Sequence, residues 1–361
     1  MKIVTVVGAR PQFIKAAVVS HVLRKNHTEI LIHTGQHYDY NMSAQFFEVL
    51  SLPEPDYQLG ISGGTHAQMT GKMMIAIEEV LLKEKPDALL VYGDTNSTLA
   101  AALAAVKIHV PVCHVEAGNR AGSLTNPEEV NRICTDHVAS LRLCSNQSSV
   151  ENLAREGLTG YFVGNTMYDA FVQYKDAKKP KDLTLTLLEG GAAGVPEEYY
   201  YLTCHREENT RNDEALTEIL SAMERLDAPV VYPVHPRNKQ RALTLKAKCG
   251  LKNIILAEPV SYVDSICLVS NAKKVVTDSG GVQTEAFFAG VKCVTIFDYV
   301  VWPETMKDGR NVLSRPDAEE ILRKLAEPQK VDACYQPFGD GHSAEKIVRH
   351  LEAAFMKREE L

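Results

Sequence analysis

The chain has 361 residues, enough for two domains, with 45% hydrophobic and 24% charged residues, a balance that excludes a disordered or fibrous protein. Its formal net charge of −7 excludes broad affinity for nucleic acid or an anionic membrane surface, while leaving room for an anion in a locally positive pocket. Eight scattered cysteines form no C-x-x-C pair, and several sit in apolar runs such as VKCVTIF around Cys293, which reads as buried reduced thiols.

At the N-terminus the apolar run Ile3 to Val7 is shorter than a signal-peptide core. No run approaches the ~20 apolar residues of a membrane helix, so a cytoplasmic location is expected. KIVTVV opens a series of ten β-rich runs, continued by EILIHT, ALLVYG, VPVCHV, LRLCS, YYYLTC, PVVYPV, NIILAE, KVVTD and KCVTIF. Helical patterns lie between them. One is THAQMTGKMMIAIEEVLLKEKPD, with Thr65 as N-cap and Pro86 as stop. Another is STLAAALAAVKI, capped by Asn96 or Ser97. Strands alternating with helices imply parallel sheets covered on both faces.

Ten strands are many for one doubly wound sheet. The stretch from Tyr174 to Glu198 is poor in strand signals and rich in Lys, Gly and Pro, and reads as a hinge region. The expected fold is therefore α/β: two Rossmann-like doubly wound parallel-sheet domains, residues 1–173 and 174–342, facing across a cleft. The segment 343–361, mostly a helix from Ser343 to about Glu359, is expected to pack back on the first domain. No G-x-G-x-x-G follows a strand; GISGGTHAQ comes nearest but follows a loop. Neither a dinucleotide, nor another cofactor, nor a metal is expected.

In open α/β sheets ligands bind beyond the carboxyl ends of the strands. The residues after each run therefore matter most. They supply Arg10 and Lys15, then Asp94, then Glu116 and Arg120, then His205 and Arg206, then His235 and Arg237. The cations suit a diphosphate. The carboxylates Asp94, Glu116, Glu128 and Glu285 suit acid–base work or hydroxyl binding. A sugar nucleotide needs both. In PEEVNRICTDH, Glu128 and Arg132 are four residues apart and share a helix face, as a site pair or a surface ion pair.

VVTDSGGVQTEAFFAG, Val275 to Gly290, ends a strand in Ser279, Gly280 and Gly281 and turns into a helix. Amides at such a helix start carry partial positive charge and face an anion. Glu285 follows one turn later, where a ribose after the phosphates needs a hydroxyl acceptor.

In order, GARPQFIKAA, VYGDTNSTLAAALAA, HVEAGNR, PEEVNRICTDH, GNTMYDA, VHPR and TDSGGVQTEA resemble the non-hydrolysing UDP-N-acetylglucosamine 2-epimerases, from Lys2 to about Ser314. The resemblance implies a GT-B-like pair of domains closing over a UDP-sugar, cofactor-free epimerisation at C2, and a homodimer. It implies Asp94, Glu116 and Glu128 as acid–base carboxylates, their assignment as base and acid left open, with His205 near the diphosphate and sugar. Arg10, Lys15, Arg132 and His235 would hold or orient anionic groups. Ser279, Gly280 and Gly281 would take the phosphates and Glu285 the ribose.

The chain departs from the family's commoner pattern at Arg10-Pro11-Gln12 (RPE elsewhere), at His205-Arg206-Glu207-Glu208-Asn209 (HRREN elsewhere), at Trp302 before Pro303-Glu304, and at Ser265, where an aromatic is common. RPQF, TGQHYDYNMS and Trp302 look more like the branch acting on UDP-2,3-diacetamido-2,3-dideoxy-glucuronic acid. The changed Gln36-His37-Tyr38 region puts an allosteric UDP-sugar site in question. The alternative class is a GT-B glycosyltransferase, against which the three first-domain carboxylates weigh, since a transferase usually needs one base.

Overall fold

The computed structural model describes residues 1–36, 50–300 and 302–356. The chain divides into two compact units, residues 1–170 with 336–361, and residues 171–335. In TGQHYDYNMS, His37 and the residues after it lie outside the described residues.

In the first unit the elements run β1 (Lys2–Val7), α1 (Arg10–Leu23), β2 (Thr28–His33), β3 (Tyr57–Gln58), α2 (His66–Glu84), β4 (Ala88–Tyr92), α3 (Asn96–Lys107), β5 (Val112–Val115), α4 (Pro127–Val138), β6 (Leu141–Cys144), α5 (Gln147–Arg155) and β7 (Tyr161–Phe162). Helix α6 (Thr166–Tyr174) contains the division between the units. The strands form one parallel sheet in the order β3-β2-β1-β4-β5-β6-β7. Strand β1 is covered on both faces, with Ile3, Val4, Val6 and Val7 fully buried, which explains its unbroken β-branched run. Helix α2 starts at Thr65, whose side chain accepts from the Gln68 amide in a capping box. It stops at Lys85 in the left-handed region, just before Pro86. Helix α3 buries Ala100, Ala101, Ala102, Ala104 and Ala105, small side chains that let α2 and α4 pack close on either side. Its N-cap is Thr95, which accepts from the Thr98 amide, and not Asn96 or Ser97; a hydroxyl reaches the third amide only from that position.

The second unit continues with β8 (Thr184–Thr186), β9 (Ala192–Gly194), β10 (Tyr200–Thr203), α7 (Glu207–Thr210), α8 (Asp213–Glu224), β11 (Val230–Pro233), α9 (Lys239–Cys249), β12 (Ile254–Ala257), α10 (Tyr262–Asn271), β13 (Val275–Thr277), α11 (Gly280–Ala289), β14 (Cys293–Ile296), β15 (Asn311–Ser314) and α12 (Ala318–Ala326). Its six-stranded parallel sheet has the order β12-β11-β10-β13-β14-β15. Along β10 the side chains alternate between two cores, Tyr200 and Leu202 on one face and Tyr201 on the other with Tyr199. The stretch from Tyr174 to Glu198, poor in strand signals, holds the antiparallel hairpin β8-β9. Leu183 and Leu185 are buried in the second unit's core beside Tyr199 and Cys267, each burial being worth roughly 1.5–3 kcal/mol.

The last helix, α13 (Ser343–Phe355), belongs to the first unit and packs on α1. The Asp169 carboxylate accepts from its Ala344 amide at 2.8 Å, and His27 Nε2 meets Glu352 Oε1 at 2.9 Å.

Each sheet reverses its direction of growth once. In the first, β1 feeds β2 on one side while β4 lies on the other. In the second, β10 feeds β11 on one side while β13 lies on the other. The loops leaving β1 and β4, and those leaving β10 and β13, diverge there and open a crevice suited to a ligand.

Candidate active site

At the first reversal point four side chains converge. Lys15, on α1 behind β1, pairs with Glu116, which follows β5. Arg132, on α4, pairs with Asp94, which follows β4. Gly93 links the two pairs. A Cβ built there would lie 3.8 Å from both Glu116 Oε2 and Lys15 Nζ, and Gly93 itself has φ +63°. Glu116 also lies in the left-handed region, at φ 71°, a conformation that costs a non-glycine residue about 1 kcal/mol or more and recurs at functional sites. The Leu143 carbonyl holds it there by accepting from the Glu116 and Ala117 amides at 2.9 and 3.1 Å. Arg10 occupies the first turn of α1, half-buried, and burial pushes its guanidinium pKa down.

Glu128 is not in this cluster. It is exposed at the start of α4, where its amide donates to Asn126 Oδ1 at 2.9 Å. Arg132 pairs instead with Glu129, three residues back, at 3.0 Å. Spacings of three and four both share a helix face. What separates the two is the loop before α4. Its Ala121 and Gly122 amides donate to the Glu129 carboxylate at 2.9 and 3.0 Å, and Glu129 is buried. Burial of the Arg132 guanidinium lowers its pKa, but Asp94, Glu129 and Glu116 outweigh this and the net shift is upward.

Several further residues shape the site. Gln12 is buried and braces three elements. It accepts from the Gly8 and Ala9 amides at 2.8 and 3.1 Å and donates to the Tyr92 carbonyl at 2.7 Å. Asn131 donates to the Asp94 carbonyl at 2.9 Å. His114 and Asp136 are buried behind Gly93, and a polar residue inside the apolar run VPVCHV was the available signal. Arg120 points away, into a bidentate pair with Glu156 at 2.7 and 2.8 Å and a bond to Asp136.

In the second unit the fully buried Asp278 organises the loop after β10. It accepts from the His205 and Arg206 amides at 2.9 and 2.8 Å, and its Oδ1 lies 3.2 Å from His205 Nδ1. The His205 ring stacks on that of His235, centroids 5.9 Å apart. Arg206 donates to the Asp278 carbonyl at 2.9 Å and lies over Phe297. Ser279 caps α11, accepting from Val282 at 3.4 Å. The next two amides, of Gly280 and Gly281, have no acceptor among the described residues and sit at the positive end of the helix dipole.

Glu285 lies four residues beyond Gly281 on the same helix face, 4% exposed, with no hydrogen-bond or ionic partner among the described residues. Burial raises its carboxyl pKa to about 8. An unpartnered buried carboxyl costs free energy unless something supplies donors, and one turn from an anion-binding helix start that something fits a ligand's hydroxyls. Ser265, in the position where an aromatic is common, hydrogen-bonds Tyr201 at 3.1 Å.

Among the described residues no group of three His, Cys, Asp or Glu side chains is arranged to hold a metal, and no helix is long and apolar enough to cross a membrane.

Carboxylate–cation pairs lie at one reversal point and a helix start of the anion-binding type at the other, on the two parallel sheets of a GT-B-like fold. The UDP-N-acetylglucosamine 2-epimerase family model matches residues 21–352, and the chain belongs to that family of isomerases. A UDP-N-acetylglucosamine 2-epimerase homolog of Methanococcus maripaludis is 43% identical, across 97% of this chain and 99% of its own. The UDP-2,3-diacetamido-2,3-dideoxy-D-glucuronate 2-epimerase of Pseudomonas aeruginosa is likewise 43% identical, with the same 97% and 99%. In structure the chain is similar to Methanocaldococcus jannaschii UDP-GlcNAc 2-epimerase, solved in complex with UDP-GlcNAc and UDP. The TM-score is 0.82 and the identity 39%, over 98% of this chain and 100% of that one.

Proposed function

We propose that the chain interconverts UDP-N-acetylglucosamine and UDP-N-acetylmannosamine without a cofactor, acting as a cytoplasmic homodimer. The C2 proton has no adjacent carbonyl to acidify it. It leaves instead with UDP: the C2–H and C1–O bonds break in an anti sense and a 2-acetamidoglucal forms. UDP then returns to C1 while a proton reaches C2 from the other face. Two groups on opposite faces must exchange protons with the sugar, and the departing diphosphate must be stabilised.

The observation that carries this reading is the pairing of two carboxylates with two cations at one reversal point, Glu116 with Lys15 and Asp94 with Arg132. Asp94 and Glu116 exchange the C2 proton, and Glu128 joins them once substrate is bound. Lys15, Arg10 and Arg132 balance the charge of the reacting centre. In the second unit, Ser279 and the Gly280 and Gly281 amides take the phosphates, His205 and His235 face the diphosphate, and Glu285 accepts from the ribose hydroxyls.

Likeness to the P. aeruginosa enzyme, with Arg10-Pro11-Gln12 and Trp302, favours a second reading: the same chemistry on UDP-2,3-diacetamido-2,3-dideoxy-glucuronic acid. Proton NMR of the anomeric signals, with each UDP-sugar supplied separately, tests both. A new manno-configured anomeric signal from UDP-N-acetylglucosamine supports the first reading. Turnover of the uronate alone replaces it with the second, and turnover of neither contradicts both. Light scattering at the mass of one chain contradicts the homodimer.

A further inference from the structure

Behind the two carboxylates of the first unit lies a polar pair, His114 and Asp136, with no exposed side-chain surface. His114, on β5 two residues before Glu116, is fully buried. Its Nε2 lies 2.7 Å from the carbonyl of Gly93, the residue before Asp94. Its Nδ1 lies 2.7 Å from Asp136 Oδ1. A carbonyl only accepts, so Nε2 carries a proton and donates it to Gly93. Asp136 in turn accepts from the Gly118 amide at 3.1 Å and Arg120 at 2.7 Å. Burial pushes the Asp136 carboxyl up, but His114 and Arg120 outweigh it and hold it below the ordinary value.

A histidine at the centre of a parallel sheet is expensive to bury unless both nitrogens are used. Here both are used, and one is spent on the peptide at the hinge of the site. Gly93 is in the left-handed region at φ +63°, its amide donates to the Val115 carbonyl at 3.0 Å, and it separates the Lys15–Glu116 pair from Asp94. Glu116 is itself held at φ 71°. One ring therefore ties the strand that carries Glu116 to the backbone that carries Asp94.

We propose that His114 is a positioning residue: its Nε2–H bond to the Gly93 carbonyl, with the ring fixed by Asp136, sets the separation and orientation of Asp94 and Glu116. The inference rests on the proposed epimerisation. It concerns only geometry at the first reversal point, so a loss of His114 moves the chemical step and leaves UDP binding at the second unit alone.

Three variants of the full chain test it: His114→Phe removes both bonds, His114→Asn keeps a short donor toward Asp136, and His114→Gln places a donor amide near the Nε2 position. Turnover, UDP affinity by calorimetry, and melting temperature are measured on each. His114→Phe is expected to lower kcat about a hundredfold, with UDP affinity within about twofold of the starting protein, since a misplaced catalytic group costs rate rather than binding. His114→Gln is expected to recover most of that loss and His114→Asn little of it, although both are neutral amides of similar stability cost. Wild-type kcat in His114→Phe overturns the proposal. So does equal activity in His114→Gln and His114→Asn, and so does a loss of UDP affinity in parallel with kcat. Should His114→Phe not fold, the Gln-against-Asn contrast still decides. Absence of turnover in the starting protein overturns the epimerase reading instead, which keeps the two failures apart.

Discussion

Lys15 and Glu116 stand 101 positions apart in the chain and form an ion pair at the carboxyl end of the first sheet. Neither residue is fully exposed or fully buried, with side-chain exposures of 11% and 15%. A lysine paired with a carboxylate at the mouth of a sheet fixes its orientation without sealing it from substrate. The Arg132–Asp94 pair repeats the arrangement one strand away.

Replacing either carboxylate by its amide keeps the shape and removes the proton acceptor. Glu116→Gln and Asp94→Asn are each expected to lower kcat by about a hundredfold to ten-thousandfold, the usual worth of a positioned acid or base. Calorimetry is expected to find UDP affinity unchanged, because the proposed phosphate contacts lie in the second unit. Near-normal turnover in either variant removes that residue from the proton path.

Arg132 holds Asp94 and Glu129 with separate nitrogens of one planar fork. Lysine keeps the charge but not the fork. Arg132→Lys is expected to lower kcat at least tenfold with little change in melting temperature. Wild-type kinetics in this variant show that the charge alone suffices.

Glu285 gives a pH dependence of defined sign. Its carboxyl holds a proton more tightly in the folded chain, with a value of about 8 against 4.5. The stabilisation from that proton is complete below about 4.5 and is lost as pH rises through about 8. The unliganded protein is thus expected to melt at falling temperature across that window, and Glu285→Gln is expected to flatten the slope. In the same variant UDP affinity is expected to fall about twofold to tenfold, from the weakening of ribose hydrogen bonds worth ~0.5–1.5 kcal/mol. An unchanged slope together with unchanged affinity contradicts both the burial effect and the ribose role.

Gly118 has φ +81°, and a Cβ there would sit 2.3 Å from the Ser149 carbonyl oxygen. The left-handed strain alone costs about 1–2 kcal/mol, before the backbone clash is added. Gly118→Ala is expected to lower the melting temperature by several degrees, read by differential scanning fluorimetry. No change shows that the loop before α4 relaxes freely.

Ten of the strands were legible because buried parallel strands are β-branched runs with glycine or polar punctuation. Strands β3 and β7 were not, since two residues carry no periodicity. NVLS at β15 is too short and polar to stand out from its loop. LTLTL, residues 183–187, does alternate, but the Lys, Gly and Pro around it hid the hairpin β8-β9 within a stretch that reads as hinge. At the site, spacing alone placed Glu128 and Glu129 equally well against Arg132. The Ala121 and Gly122 amides that select Glu129 come from a loop whose path no local pattern reports. His114 escaped for a related reason: its role lies in a bond to a carbonyl, and a backbone carbonyl leaves no mark in the sequence.

Turnover of UDP-N-acetylglucosamine in deuterated water, followed by NMR at C2, bears most directly on the proposed chemistry. One solvent deuteron is expected at C2 of the recovered UDP-sugars, with UDP still attached at the end of the reaction. Epimer formed with protium retained at C2, or release of UDP and free sugar in place of the epimer, contradicts elimination and re-addition at this site.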